Sequence, residues 1–222
     1  MIEELLPERV AAAEATTDPT DAVLFPEEEA LLARSVEKRR REFTTGRVCA
    51  RRALAQFGVP AVPILRGPKG EPRWPDGIVG SITHCAGYRA AVAARVTDLA
   101  SVGIDAEPHG PLPDGVLGAV SLAEERSQLA ELDRAEPETP WDRLLFCAKE
   151  SVYKAWFPLA GRWLGFEDAA VTIHPDTRTF EAKLLVPGPV LAGRPLTGFT
   201  GRWLVRDGLV LAAIAVPARP TG

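Results

Sequence analysis

The order of local signals constrains this chain more than any single residue does: a helix-rich stretch followed by short β-type runs occurs twice in succession. From Pro26 to Phe57 helix formers dominate, with Glu27 to Leu32 opening one helix and Ser35 capping the next, until Gly58 and Pro60 stop it. Runs with β character follow at Val62–Leu65, Ile78–Thr83, Ala90–Val96 and Ser101–Asp105, separated by Gly, Pro and Asp. The order then recurs, with helical stretches at Ser121–Leu132 and Trp141–Phe157 and strands at Ala169–His174, Thr179–Val186, Gly201–Val205 and Leu209–Val216. Arg206-Asp207-Gly208 supplies a tight hairpin turn between the last two. Two such blocks predict an α+β architecture of two related halves, residues 1–104 and 105–222, with a ligand cleft between them. The segment from Glu107 to Gly115, EPHGPLPDG, is too rich in Pro and Gly for a regular element and reads as the linker.

Composition removes several function classes. Hydrophobic residues at 46% and charged residues at 25% describe an ordinary globular protein. A formal charge of −4 makes the surface as a whole a poor electrostatic partner for nucleic acid, so an anion site has to be local. No segment offers the ~18 uninterrupted apolar residues of a membrane span, and the start MIEELLPERV lacks an export signal. Cys49, Cys85 and Cys147 are odd in number and widely spaced, which argues against a disulfide framework or a zinc site and fits a reducing cytoplasm.

Chemistry concentrates at a few positions. Asp105 and Glu107 stand two apart at a strand end, so both carboxylates lie on one face. Like charges placed together call for a cation, and hard oxygen donors suit magnesium beside a phosphate; a solvated acidic loop is the alternative. In the helix WDRLLFCAKESVYKAWF, Arg143, Cys147, Glu150 and Lys154 form one stripe, with Leu144, Leu145, Ala148, Val152, Ala155 and Trp156 on the broad apolar side. Glu150 and Lys154 read either as an exposed helix pair or as working groups. Arg39 and Arg47, eight residues apart on a helix, project from similar faces and suit a phosphate monoester, whereas Arg40 and Arg41 read as solvated. Arg66-Gly67-Pro68-Lys69-Gly70 is a tight turn that lifts two cations toward a ligand, and Thr83 and His84 end the strand GSITH with a hydroxyl and an imidazole.

These pieces, in this order, resemble the phosphopantetheinyl transferases of the surfactin-synthetase-activating type, and more closely their enterobactin-synthetase-like and mycobacterial branch. The blocks that carry the likeness are GPKGEPRWPDGIVGSITHCAGYRAAVAA at 67–94, SVGIDAEP at 101–108 and FCAKESVYKAWFPL at 146–159, joined by the arginine-rich segment 38–52 and RWLGFED at 162–168. The resemblance implies two pseudo-twofold-related halves with coenzyme A and Mg2+ in the cleft. It implies Asp105, Glu107 and Glu150 as metal carboxylates, with Ala106 offering its main-chain carbonyl, since many relatives have a polar residue there. Coenzyme contacts fall on Arg39, Arg47, Arg66, Gly67, Pro68, Lys69, Thr83 and His84, with Lys149 near the pyrophosphate, and Lys154 and Glu150 as catalytic groups. The implied reaction is transfer of phosphopantetheine from coenzyme A to a serine of an apo carrier domain of a fatty-acid, polyketide or peptide synthase, by a monomer in the cytoplasm. Without the resemblance, a non-catalytic coenzyme A-binding module and a magnesium-dependent nucleotide pyrophosphohydrolase account for the same basic and acidic groups. Leu112, Val116 and Leu117 offer an apolar surface for the carrier or pack on the core.

Overall fold

A computed structural model of the chain describes residues 1–218. The first half contains β1 (Ala11–Ala15), α1 (Pro26–Ala30), α2 (Glu37–Ala55), β2 (Ile78–Cys85) and β3 (Tyr88–Arg95). The second contains β4 (Leu99–Pro108), α3 (Val116–Val120), α4 (Ala123–Ala135), α5 (Trp141–Ala160), β5 (Ala169–His174), β6 (Thr179–Leu184), the short β7 (Val190–Leu191) and β8 (Arg194–Pro195), β9 (Gly198–Arg206) and β10 (Leu209–Pro217).

The class is α+β, and the repetition extends to topology. The antiparallel sheets are ordered β1-β3-β2 and β4-β10-β9-β6-β5. In each, the strand before the long helix lies beside the last strand of its half, and the first strand after the helix takes the far edge. The hairpin turn between β9 and β10 has Asp207 and Gly208 at φ 53° and 75°, the left-handed pair that a two-residue connection needs.

Alternation assigns the layers. Ala91 and Ala93 of β3 pack on Cys49, Ala50, Ala53 and Leu54 of α2. The opposite face of β3, with Tyr88, Ala90, Val92 and Ala94, packs on Val102, Ile104 and Ala106 of β4 and Leu209, Leu211 and Ala213 of β10. The far face of β10, with Val210, Ala212 and Ile214, meets Leu144, Leu145, Ala148, Val152, Ala155 and Trp156 of α5. The apolar side expected of that helix is thus the buried side, and each fully buried large residue stabilises the fold by roughly 1.5–3 kcal/mol.

Several expectations need correction. Residues 62–65 form no strand: Ile64 is buried but its backbone serves side chains, donating to Glu28 and accepting from Arg47. The N-cap of α2 is Val36 and not Ser35. β1 had no sequence signal, because its AAAEA run lacks the branched and aromatic residues that mark strands. Glu107 and Pro108 belong to β4 and not to the linker, and a division between residues 104 and 105 runs through that strand. Leu112 is buried and Leu117 packs against the α5 core.

Candidate active site

The odd-numbered residues of β4 face α5 and meet it one after another. Ser101 Oγ donates to the Ala155 carbonyl at 2.7 Å. At Gly103 a Cβ would stand 2.1 Å from the Ser151 carbonyl oxygen and 2.6 Å from the Ala155 nitrogen, so only glycine lets the helix lie this close. Asp105 then receives Lys154 Nζ at 2.7 Å, and Glu107 receives Arg143 Nη1 at 3.0 Å. The predicted shared face of the two acids and the predicted helix stripe therefore meet.

Asp105 is buried, and its Oδ1 also accepts from the Thr83 hydroxyl at 3.1 Å. Its Oδ2 is buried with no hydrogen-bond partner among the described residues. An ionised oxygen in that position is costly unless a cation or a donor reaches it. Burial pushes Glu107 and Glu150 above the ordinary carboxylate range, and the nearby Asp105 charge pushes each further. For Lys154 burial works against the ammonium, but the Asp105 charge and hydrogen bond prevail, so its pKa is raised and the cation persists at neutral pH.

Such groups fit a hard divalent ion. No group of three or more His, Cys, Asp or Glu side chains is placed to hold a metal ion among the described residues. Magnesium does not require one, since it is commonly held by one or two carboxylates together with substrate phosphates and water. Ala106 sends its N–H to Thr83 Oγ1 at 3.0 Å. Because a residue in an antiparallel strand aims its N–H and carbonyl to the same side, the Ala106 carbonyl also points away from β10.

The basic residues form a second cluster beside the first. Arg39 Nη1 donates to His84 Nε2 at 2.6 Å. Arg47 is buried, donates through Nε to the Ile64 carbonyl at 2.7 Å and lies 4.1 Å over the Phe43 ring; Arg66 lies 4.9 Å over the same ring. Burial lowers the Arg47 pKa to about 10 against the support of Glu28, with Arg66, Arg51 and Arg39 adding repulsion. Burial and then Arg39 lower Arg66, whose Nη2 is buried without a partner among the described residues. Burial and then Arg39 lower His84 to about 4, which leaves its imidazole neutral at pH 7. Crowded guanidiniums with an unused donor are an arrangement that an anion relieves. Phe43 was missed by the sequence reading, although its spacing of four before Arg47 on one helix is a stacking signal.

A cleft of about 570 Å³ runs between β2 and α5 and is lined by Lys69, Gly70, Trp74, Ile82, Glu150, Tyr153 and Lys154, among others. The turn that presents Lys69 is closed by Gly70 N–H to the Gly67 carbonyl at 3.0 Å, with Pro68 exposed at its tip. Two residues expected to contact the coenzyme are engaged by other partners. Lys149 is buried on the other side of α5, bonded to Glu125 Oε2 at 2.9 Å and to the Phe166 and Ala169 carbonyls, so its charge is spent inside the fold. The Thr83 hydroxyl accepts from Ala106 and spends its one proton on Asp105, so it has no donor left for a phosphate oxygen.

Comparison with known proteins gives the family. The family model for the 4'-phosphopantetheinyl transferase N-terminal domain matches residues 27–94, and that of the 4'-phosphopantetheinyl transferase superfamily matches residues 101–191. The chain is 57% identical over 225 residues to 4'-phosphopantetheinyl transferase Svp of Streptomyces mobaraensis, covering 100% of this chain and 91% of that protein. It is 57% identical over 214 residues to 4'-phosphopantetheinyl transferase PptT of Mycobacterium tuberculosis, covering 94% of this chain and 93% of the relative. Enterobactin synthase component D of Salmonella typhimurium is 33% identical over 182 residues, covering 82% of this chain and 74% of the relative. The chain belongs to the 4'-phosphopantetheinyl transferase superfamily. It is accordingly a transferase, and no helix among its described residues is long and apolar enough to cross a membrane.

Proposed function

We propose that this enzyme transfers the phosphopantetheine group of coenzyme A to a serine of an apo carrier domain in a magnesium-dependent reaction that releases 3',5'-adenosine bisphosphate. The observation that carries the reading is the adjacency of two unlike clusters. The buried Asp105, one of whose oxygens has no partner among the described residues, lies with Lys154 and Glu150 against the arginines Arg39, Arg47 and Arg66 and the neutral His84, where Arg66 Nη2 has no partner among the described residues either. A pyrophosphate linked to a phosphorylated ribose needs both.

Arg39, Arg47, Arg66 and His84 hold the 3'-phosphate, and the Gly67–Lys69 turn covers the nucleotide. Asp105, Glu107 and Glu150, with the Ala106 carbonyl, hold the magnesium ion, which when bound supplies neutralising charge to the pyrophosphate. Lys154 balances charge that builds on the phosphoryl oxygens. The carrier serine oxygen forms the new bond to the β-phosphorus as the bond from that phosphorus to the adenosine bisphosphate oxygen breaks, and Glu150 accepts the serine proton. In the metal-free chain burial and then the Asp105 charge raise the pKa of Glu150, which strengthens the carboxylate as a proton acceptor. Positioning and electrostatics carry such a transfer without a covalent enzyme intermediate. The free thiols of Cys49, Cys85 and Cys147 fit work in a reducing cytoplasm.

The test is to incubate the protein with coenzyme A, magnesium and apo carriers from fatty-acid, polyketide and peptide synthases and to weigh the carriers. One carrier should gain the mass of the arm, and chelation or Asp105→Ala should abolish the gain. Undiminished transfer in a well-folded Asp105→Ala protein would remove the central assignment.

A further inference from the structure

Arg143 lies in the first turn of α5, and its guanidinium reaches three acceptors that all belong to the end of β4 and the segment leaving it. Nη1 donates to Glu107 Oε2 at 3.0 Å, Nε to the Gly110 carbonyl at 3.2 Å and Nη2 to the Pro111 carbonyl at 2.5 Å. Its neighbour Asp142 fastens the same segment, accepting the Leu112 N–H at 2.8 Å. The ion pair is largely sheltered, with 17% and 21% of the two side chains exposed. A single exposed arginine–carboxylate pair contributes little and wanders, but a planar fork pinned on two main-chain carbonyls is held in one place. Arg143 engages one oxygen of Glu107, the less buried of the paired acids, so it sets which way that carboxylate is turned.

We propose that Arg143 is a positioning residue: it fixes the Glu107 carboxylate in the orientation that a divalent cation uses and ties that orientation to the fold of residues 110–112. The inference rests on reading Asp105 and Glu107 as magnesium ligands. Charge alone has the opposite effect, because a guanidinium repels a neighbouring divalent ion. Lysine at this position keeps the charge but cannot span Glu107 and both carbonyls, so Arg143→Lys isolates orientation, whereas Arg143→Met removes orientation and repulsion together.

Manganous ion serves as the probe, titrated in the presence of coenzyme A and followed by the electron paramagnetic resonance of the free ion, with hydrogen exchange measured over residues 108–116. Arg143→Lys should weaken Mn2+ binding about tenfold, as loss of a partner that orients a metal ligand does, and should speed exchange in the linker. Arg143→Met should speed exchange equally while binding Mn2+ closer to the wild-type affinity. Asp105→Asn should weaken Mn2+ and leave linker exchange unchanged. Wild-type Mn2+ affinity in Arg143→Lys overturns the proposal, even with a loosened linker, since Arg143 would then serve the loop alone. If Asp105→Asn binds Mn2+ as well as wild type, the metal reading fails and the proposal falls with it. Should the methionine variant not fold, the lysine variant decides.

Discussion

At the scale of single residues, the most informative feature is that two ionisable groups are displaced in directions that match different tasks. Glu150 is raised by burial and by Asp105, as a general base requires. Glu150→Gln should therefore keep coenzyme A binding, lose at least ~100-fold in transfer rate and not be rescued by excess magnesium; full rescue would leave Glu150 as a ligand only. His84 is lowered to about 4 from 6.5, mainly by burial and then by Arg39. Between those values the unfolded chain binds more protons at this site than the native protein, so this group makes stability rise as pH increases through the window. Urea unfolding of the ligand-free protein at pH 5 and pH 7 should show that gain, and His84→Gln should reduce it. A variant with the wild-type slope would mean that the imidazole is not held neutral. Coenzyme A should reverse the effect, because a phosphate dianion against Arg39 and His84 favours the imidazolium.

At the scale of elements, α5 on β4 is the contact that assembles the acids, and Gly103 governs it. A Cβ there meets main-chain atoms of Ser151 and Ala155, which cannot swing aside, so Gly103→Ala has to lift the helix off the strand. The expected cost is about 1–3 kcal/mol or more, seen as a lower urea midpoint. Transfer should fall more than stability does, because Lys154 moves away from Asp105. Wild-type kcat in a destabilised variant would show that the packing serves the fold only. The same elements show what sequence made legible. The face of α5, the pairing of Asp105 with Glu107 and the hairpin at Asp207-Gly208 follow from periodicity and turn chemistry, which are local. Illegible were β1, whose alanines carry no strand preference, and the fate of Lys149. The family resemblance placed it near the pyrophosphate, but Glu125, 24 residues earlier, and the Phe166 and Ala169 carbonyls take it inward. Only tertiary packing decides which way a lysine on a half-buried helix turns.

At the scale of the whole molecule, the two halves are not separable bodies. One core is built from β3 of the first sheet and β4 and β10 of the second. Beside it runs a seam in which side-chain hydroxyls of β2 replace main-chain acceptors: Ser81 Oγ accepts the Ile104 N–H at 3.1 Å and Thr83 Oγ1 accepts the Ala106 N–H at 3.0 Å. The Thr83 hydroxyl also donates to Asp105, so the bond that joins the halves is the bond that orients the acid. Two consequences follow from this sharing. Urea unfolding should be a single transition with coincident fluorescence and circular dichroism, and fragments 1–104 and 105–222 made separately should not fold, since each exposes half of the shared core. Thr83→Val keeps the shape and removes the hydroxyl, leaving the buried Ala106 N–H without its acceptor and Asp105 Oδ1 with Lys154 as its remaining partner, at a cost of about 1–3 kcal/mol. Transfer should fall in that variant, and Thr83→Ser, which restores the oxygen, should recover both stability and rate. If the residue instead contacted the coenzyme through its hydroxyl, Thr83→Val would raise the KM for coenzyme A and leave the unfolding midpoint of the ligand-free protein unchanged. A lowered midpoint with unchanged KM and reduced kcat assigns the hydroxyl to the seam and to Asp105.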